Sequence, residues 1–322
     1  MLNKTTKLTF LIILIGLIYS CDKKSQLEKQ IAAIEVSYEF NRFEQEYYKA
    51  TNLEEIKLKY PYFFPKYIPD SVWMAQKKDT IYQEVYQEVQ KKFANTLELE
   101  NDLTSLFKHI KYYFPNEQIP KVNTLITEVD YLNKVFYSDT IAIISLDLYL
   151  GKDHHFYQAE ADYLKQELNS RQILPDLVKS FAFRKVPYPT KADFLSLMIY
   201  EGKILYIKDL LLPNYTDNEK INYTQEQLDW VVANQDNIWR YFIDNNMLYD
   251  TNPQLAQRFI NKAPFSKFYL DIDNQSPGRI ATWLGWQIVK SYAKNNNVSL
   301  TELLMIDAEE LFNKSKYKPT KI

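Results

Sequence analysis

A glycine in the middle of an apolar helical run constrains this chain more than any other feature. Within residues 276–292, Ile280, Leu284 and Ile288 recur at helical spacing, with Trp283 and Val289 a step round, and Gly285 stands among them. Glycine inside a helix costs about 1 kcal/mol relative to alanine, and the whole sequence holds only five glycines. Its presence there predicts a second backbone passing close by. Ser276 is expected as N-cap and Pro277 as the first helical residue, giving a buried helix over 277–294.

The rest of the pattern sets a fold class. Ile34, Val36, Tyr38 and Phe40 alternate with polar residues, the period of a half-buried strand. Two amphipathic helices follow, one carrying Ile81, Val85, Val89 and Phe93, the other Leu99, Leu103, Leu106, Phe107, Ile110 and Phe114 before Pro115. Residues 122–126, 135–137 and 141–150 read as strands, closed by Gly151. Beyond that, helices are expected over 158–169, 176–184, 191–211, 225–245, 253–261 and 300–313, separated by proline- and asparagine-rich joints. The expected architecture is one α+β domain over residues 32–322, predominantly helical, with a small sheet in the N-terminal half and a helical C-terminal half.

The first residues address the chain to the cell envelope. Lys4 and Lys7 precede an apolar run from Leu8 to Tyr19, which is too short to span a bilayer, and then Ser20-Cys21. Residues 1–20 read as a lipoprotein signal peptide and Cys21 as the lipid attachment site. Residues 21–31 form the lipidated N-terminus and tether. Cys21 is the only cysteine, so no intramolecular disulfide is possible. Several acyl chains, palmitate among them, would hold the protein firmly at a membrane. Formal net charge is −2, so nothing argues for nucleic acid as a partner.

Several separated motifs carry a family resemblance. Residues 276–280, 283–292 and 296–304, with Met198-Ile-Tyr-Glu-Gly-Lys-Ile-Leu-Tyr206 and Leu146-Asp-Leu-Tyr-Leu-Gly151, resemble the GldB family of gliding-motility lipoproteins of Bacteroidota. The resemblance covers most of the mature chain. It implies a cell-envelope lipoprotein required for gliding, whose partners are other gliding or type nine secretion components. It supplies no reaction.

A second likeness concerns chemistry. Glu201-Gly202, in an apolar helical setting, is similar to the third-ligand helix of gluzincin metallopeptidases. There, a later glutamate completes a His-Glu-x-x-His zinc site. The matching upstream positions here are Pro175 and Lys179, with Asp176 in the general-base place. Zinc needs imidazole, thiolate or carboxylate donors, so no metal and no cofactor is expected. The C-terminal half is expected to be a degenerate zincin-like scaffold, with unrelated helix packing as the alternative. Lys179 is expected to pair with Glu201 or Asp176 in place of the ion.

Other chemistry is thin. No nucleophile elbow and no phosphate-binding glycine loop occurs. His109 reads as a satisfied helix residue, and His154-His155, with Glu160 nearby, as a poor bidentate ligand. Arg279 would favour an anion at a helix start or a salt bridge to Asp271 or Asp273. Tyr200, Tyr206, Trp283 and Trp286 would line a groove if their helices pack together. The candidate interaction region is therefore Asp176, Lys179, Tyr200, Glu201, Arg279 and Trp283. The expected protein is a periplasm-facing, lipid-anchored adaptor without catalysis. An envelope zinc-peptidase-like hydrolase is the alternative, and a binder of small ligands near Glu201 and Arg279 a third possibility.

Overall fold

The computed structural model of the protein describes residues 26–319, so the signal peptide, Cys21 and the start of the tether lie outside it. The elements run α1 (Gln26–Ala32), β1 (Phe40–Arg42), α2 (Phe43–Lys49), α3 (Leu53–Lys59), α4 (Asp70–Gln76), α5 (Thr80–Lys92) and α6 (Leu97–Tyr113). Next come β2 (Lys121–Leu125), β3 (Val135–Tyr137), β4 (Ile141–Ser145), α7 (Asp162–Lys165), α8 (Ile173–Ala182) and α9 (Phe194–Leu211). The chain ends with α10 (Asp217–Ile221), α11 (Gln225–Asp244), α12 (Pro253–Phe259), α13 (Ile280–Asn295), α14 (Leu300–Met305) and α15 (Ala308–Ser315). The fold is α+β and mostly helical.

The four strands form one sheet in the order β1-β2-β4-β3. β1, β2 and β4 are parallel, and β3 is antiparallel to β4 with Phe136 opposite Ile143. Helix α8 packs along the outer edge of β3. The Ser180 hydroxyl accepts the Tyr137 backbone N–H at 3.0 Å, and the Phe181 ring meets the Tyr137 ring edge-on at 5.2 Å. A backbone donor that a missing fifth strand would have left open is thus satisfied by a side chain.

Helix α9 is buried on nearly every side, from Phe194 through Ile199, Gly202 and Ile204 to Leu211. A helix apolar all round belongs at the centre of a fold, and α6, α8, α12, α13 and α15 surround it. Its tightest neighbour is α13. A Cβ on Gly285 would stand 2.5 Å from the Met198 carbonyl carbon and closer still to the oxygen, while a Cβ on Gly202 would press on the Gly285 carbonyl. The two glycines let the helix backbones touch, which is the close approach that Gly285 predicts. A smaller, mostly aromatic cluster of Phe43, Tyr47, Ile56, Tyr60, Phe64 and Tyr82 is built by the segment from α2 to the start of α5.

Several expected elements differ. Residues 34–39 do alternate in burial, but they form no ladder, and only Phe40–Arg42 is a strand. The alternation arises because the segment lies across α6, with Tyr38 against Phe107 at 4.8 Å and its hydroxyl donating to the Glu100 carbonyl at 2.8 Å. The last expected strand stops at Ser145 and turns into a buried 3-10 turn, Leu146–Leu148. The 158–169 helix shrinks to α7. The 300–313 helix breaks at Ile306, where Asp307 starts α15 by accepting the Glu309 N–H at 2.8 Å. Finally, Ser276 and Pro277 do not open α13. Arg279, at φ 62°, precedes it, and Gly278 lies against the Ala263 carbonyl in a buried turn.

Candidate functional site

Of the residues singled out on α8 and α9, Asp176 lies within a set of charges that the sequence scatters widely. Asp176, in the first turn of α8, accepts the Lys134 amine at 2.6 Å and the Tyr149 hydroxyl at 2.9 Å. Lys134 also reaches Glu167 at 3.3 Å, and Glu167 accepts Lys262 at 2.5 Å. The result is a chain of alternating charge, Asp176–Lys134–Glu167–Lys262. Burial alone would lower the Lys134 pKa, but Asp176 and Glu167 outweigh it and hold the amine above its ordinary value. Burial opposes ionisation of Glu167 too, yet Lys134 and Lys262 keep its carboxyl below the usual range.

Lys179, one turn along α8 from Asp176, does not join an ion pair. Among the described residues neither Asp176 nor Glu201 comes within 4.0 Å of its amine, so the expected direct pairing is absent. Lys134 has taken Asp176 instead. Burial pushes the Lys179 pKa down, Glu201 draws it back, and the charges of Arg279 and Lys262 add to the lowering. Glu201 faces Lys179 as a through-space counter-charge, not as a bonded partner.

Two turns further along α9, Lys208 is deeply buried and donates to the Lys220 carbonyl at 2.8 Å. Burial drives its pKa down to about 7, with Lys179 and Arg279 reinforcing the shift against Asp176 and Glu167. Next to it, Asp209 binds Lys220 at 3.0 Å and accepts the Trp286 indole N–H at 2.7 Å. Arg279 pairs with neither Asp271 nor Asp273. Its guanidinium donates to the Ile221 carbonyl at 2.9 Å, while Asp273 caps its own loop.

The aromatic groove does not form as expected. Trp283 is 4 % exposed and Trp286 fully buried, both being core residues of α13. Trp286 reaches α9 through its indole N–H, which Asp209 accepts. Tyr200 instead lies with Tyr188, whose ring is 5.1 Å away, along a cleft of about 230 Å³, and its ring is 6.5 Å from that of Phe183 outside the cleft. Lys203 lines that cleft and donates to the carbonyls of Leu304 and Ile306, at 3.0 and 2.7 Å, where α14 ends. Burial lowers its pKa to about 8.

The histidines lie elsewhere. His109 is buried on α6, its Nδ1 2.8 Å from the Ser105 carbonyl. His154 and His155 stack with ring centroids 4.4 Å apart and face Glu88 and Glu84 of α5, not Glu160. Among the described residues no group of three or more histidine, cysteine, aspartate or glutamate side chains is arranged to hold a metal ion.

Lys134, Glu167 and Lys262 escaped detection because each sits in a polar or turn-like context that resembles surface, and Tyr149 because it stands in the apolar run 141–150 and reads as an ordinary core residue. Lys208-Asp209, inside the apolar run 204–212, carried a readable signal, since charges there must be paired or neutralised. No curated protein and no solved structure matches the chain. Residues 24–319, nearly its whole length, match the family described as "Gliding motility protein GldB". The chain therefore belongs to that family of gliding-motility lipoproteins.

Proposed function

We propose that the protein is a lipid-anchored, periplasm-facing component of the gliding apparatus that works by contact with other proteins and performs no reaction of its own. On this reading its helical half is a zincin-like scaffold in which side chains occupy the place of a metal. The observation that carries the reading is the engagement of Asp176. A general base must be free to take a proton from water or substrate within hydrogen-bond reach. Asp176 is instead held by the Lys134 amine at 2.6 Å and the Tyr149 hydroxyl. The position one turn on, where a second zinc-binding histidine would stand, carries Lys179, whose ammonium form offers no lone pair.

Anchoring is the second part. Among the described residues no helix is long and apolar enough to cross a membrane, and Cys21 is the expected lipid attachment point. Two measurements test the proposal. Purified protein beginning at Asp22 is expected to carry no stoichiometric zinc and to cleave no peptide library. Zinc bound at one equivalent, and lost in Glu201→Ala, would favour the envelope hydrolase instead. In cells, Cys21→Ala is expected to leave the membrane fraction and to abolish colony spreading. A Cys21→Ala protein that still sediments with membranes would refute the anchor.

A further inference from the structure

The segment after α12 builds an apolar tip and holds it rigidly in solvent. Tyr269, Leu270 and Ile272 are 72 %, 53 % and 43 % exposed within four residues. Tyr269 sits at φ 65°, a conformation costly for a bulky residue that persists only where the surroundings enforce it. Here the Asp273 carboxylate accepts the backbone N–H groups of Phe268, Tyr269 and Leu270. The Phe268 carbonyl accepts the Tyr241 hydroxyl at 2.8 Å, and Arg258 Nε donates to the Lys267 carbonyl at 2.7 Å. The Arg258 guanidinium lies over the Tyr269 ring at 4.5 Å and the Phe259 ring at 4.6 Å. Among the described residues neither Arg258 nor Lys267 has a carboxylate within 4.0 Å. Arginine and tyrosine on a preorganised support make up the composition of a binding hot spot.

The position of the tip argues against the bilayer as its occupant. The undescribed N-terminal residues end at α1, which packs on α6, with Glu28 3.6 Å from His109. That end of α6 adjoins the late part of α9, where Glu28 and Tyr206 both act on Tyr113. The tip is joined to the opposite end of α9, since Phe268 packs on Phe259 at 5.2 Å and Phe259 on Phe194 at 5.9 Å. Phe194 and Tyr206 are about 18 Å apart along the helix. The described chain therefore begins near one end of α9, and the apolar tip projects from the other.

We infer that the Tyr269–Ile272 tip is a docking element for a protein partner that offers an apolar pocket rimmed by carboxylates, the acids engaging Arg258 and Lys267. This rests on the anchored, contact-based reading above. The test uses the full-length, lipidated protein in cells, with a photo-crosslinking amino acid at position 270 and, as control, at Leu58, an 82 % exposed residue of α3. The expected result is one discrete protein adduct from position 270 and not from position 58. Lys267→Glu, which leaves the Asp273 contacts in place, is expected to reduce the adduct about tenfold. Leu270→Asp is expected to stop colony spreading at unchanged protein level and melting temperature. An adduct with lipid or with a second copy of the chain would overturn the inference. So would no adduct, one insensitive to Lys267→Glu, or normal spreading of Leu270→Asp. Fractionation of Cys21→Ala reads the anchor separately: a soluble variant that still forms the adduct shows that docking does not need the lipid.

Discussion

Replacing Gly285 by alanine sets two effects of opposite sign against each other. Alanine is the better helix former by about 1 kcal/mol, so propensity alone makes the variant more stable. Against this, the new methyl would lie 2.5 Å from the Met198 carbonyl carbon, where ordinary contacts begin at 3.4 Å, and nearer still to the oxygen. The obstacle is backbone inside the central helix, which cannot rotate away as a side chain end would. Helices α9 and α13 must therefore separate by about 1 Å or more, and a gap of that size forfeits a quarter to a half of the attraction between facing atoms. The side chains affected include Met198, Ile199, Leu205, Leu284 and Ile288, all essentially inaccessible to solvent. With the obstacle being backbone, overpacking costs about 3 kcal/mol, and the propensity gain returns about 1, leaving a net loss of about 2 kcal/mol. For a chain of this size that lowers the melting temperature by about 3 °C. Thermal and urea unfolding of protein beginning at Asp22, followed by circular dichroism, measures it. Gly202→Ala, blocked by the Gly285 carbonyl and 2.7 Å from the Trp286 nitrogen, is expected to behave alike. A Gly285→Ala protein that melts at or above the wild-type temperature would show that propensity dominates and that the close helix approach is wrong.

Other changes probe the buried charges. Lys134→Met removes the cation between Asp176 and Glu167; Glu167 keeps Lys262 but Asp176 does not, so a loss of about 3 kcal/mol is expected from urea unfolding. Adding Asp176→Asn should recover part of it, and a double variant less stable than Lys134→Met would contradict the assigned pairing. Lys208, with its pKa lowered to about 7, binds fewer protons folded than unfolded between that value and its ordinary 10.5. Its contribution is therefore most unfavourable below pH 7 and is relieved as pH rises, a slope on the order of 1 kcal/mol per pH unit. Lys208→Met is expected to remove that slope from stability measured between pH 7 and 9, and an unchanged slope would place its origin elsewhere.

Much of the fold was legible because local pattern and tertiary role coincide. The strands at 121–125 and 135–137 and the long helices α5, α6, α9, α11 and α13 all lie where periodicity places them. The failures share one cause. Residues 34–39 carry a true period of two, but a sequence does not say whether alternate residues are buried by a neighbouring strand or, as here, by a helix. Likewise Ser276-Pro277-Gly278 has the composition of a helix start, yet contact between Gly278 and Ala263 bends it into a turn.

The site divides in the same way. By itself the amino-acid order determined the helical α+β class, the lack of a histidine pair ahead of Glu201, and the close backbone approach at Gly285. Each follows from which atoms a residue has or lacks at one position. Only the folded arrangement decided that Asp176 belongs to Lys134, that Lys179 has no ion pair among the described residues, and that Trp283 is core while Tyr269 is exposed. Pairing of charges depends on distances between residues far apart in the chain, and burial depends on what packs against a face. Neither quantity exists until the helices have met.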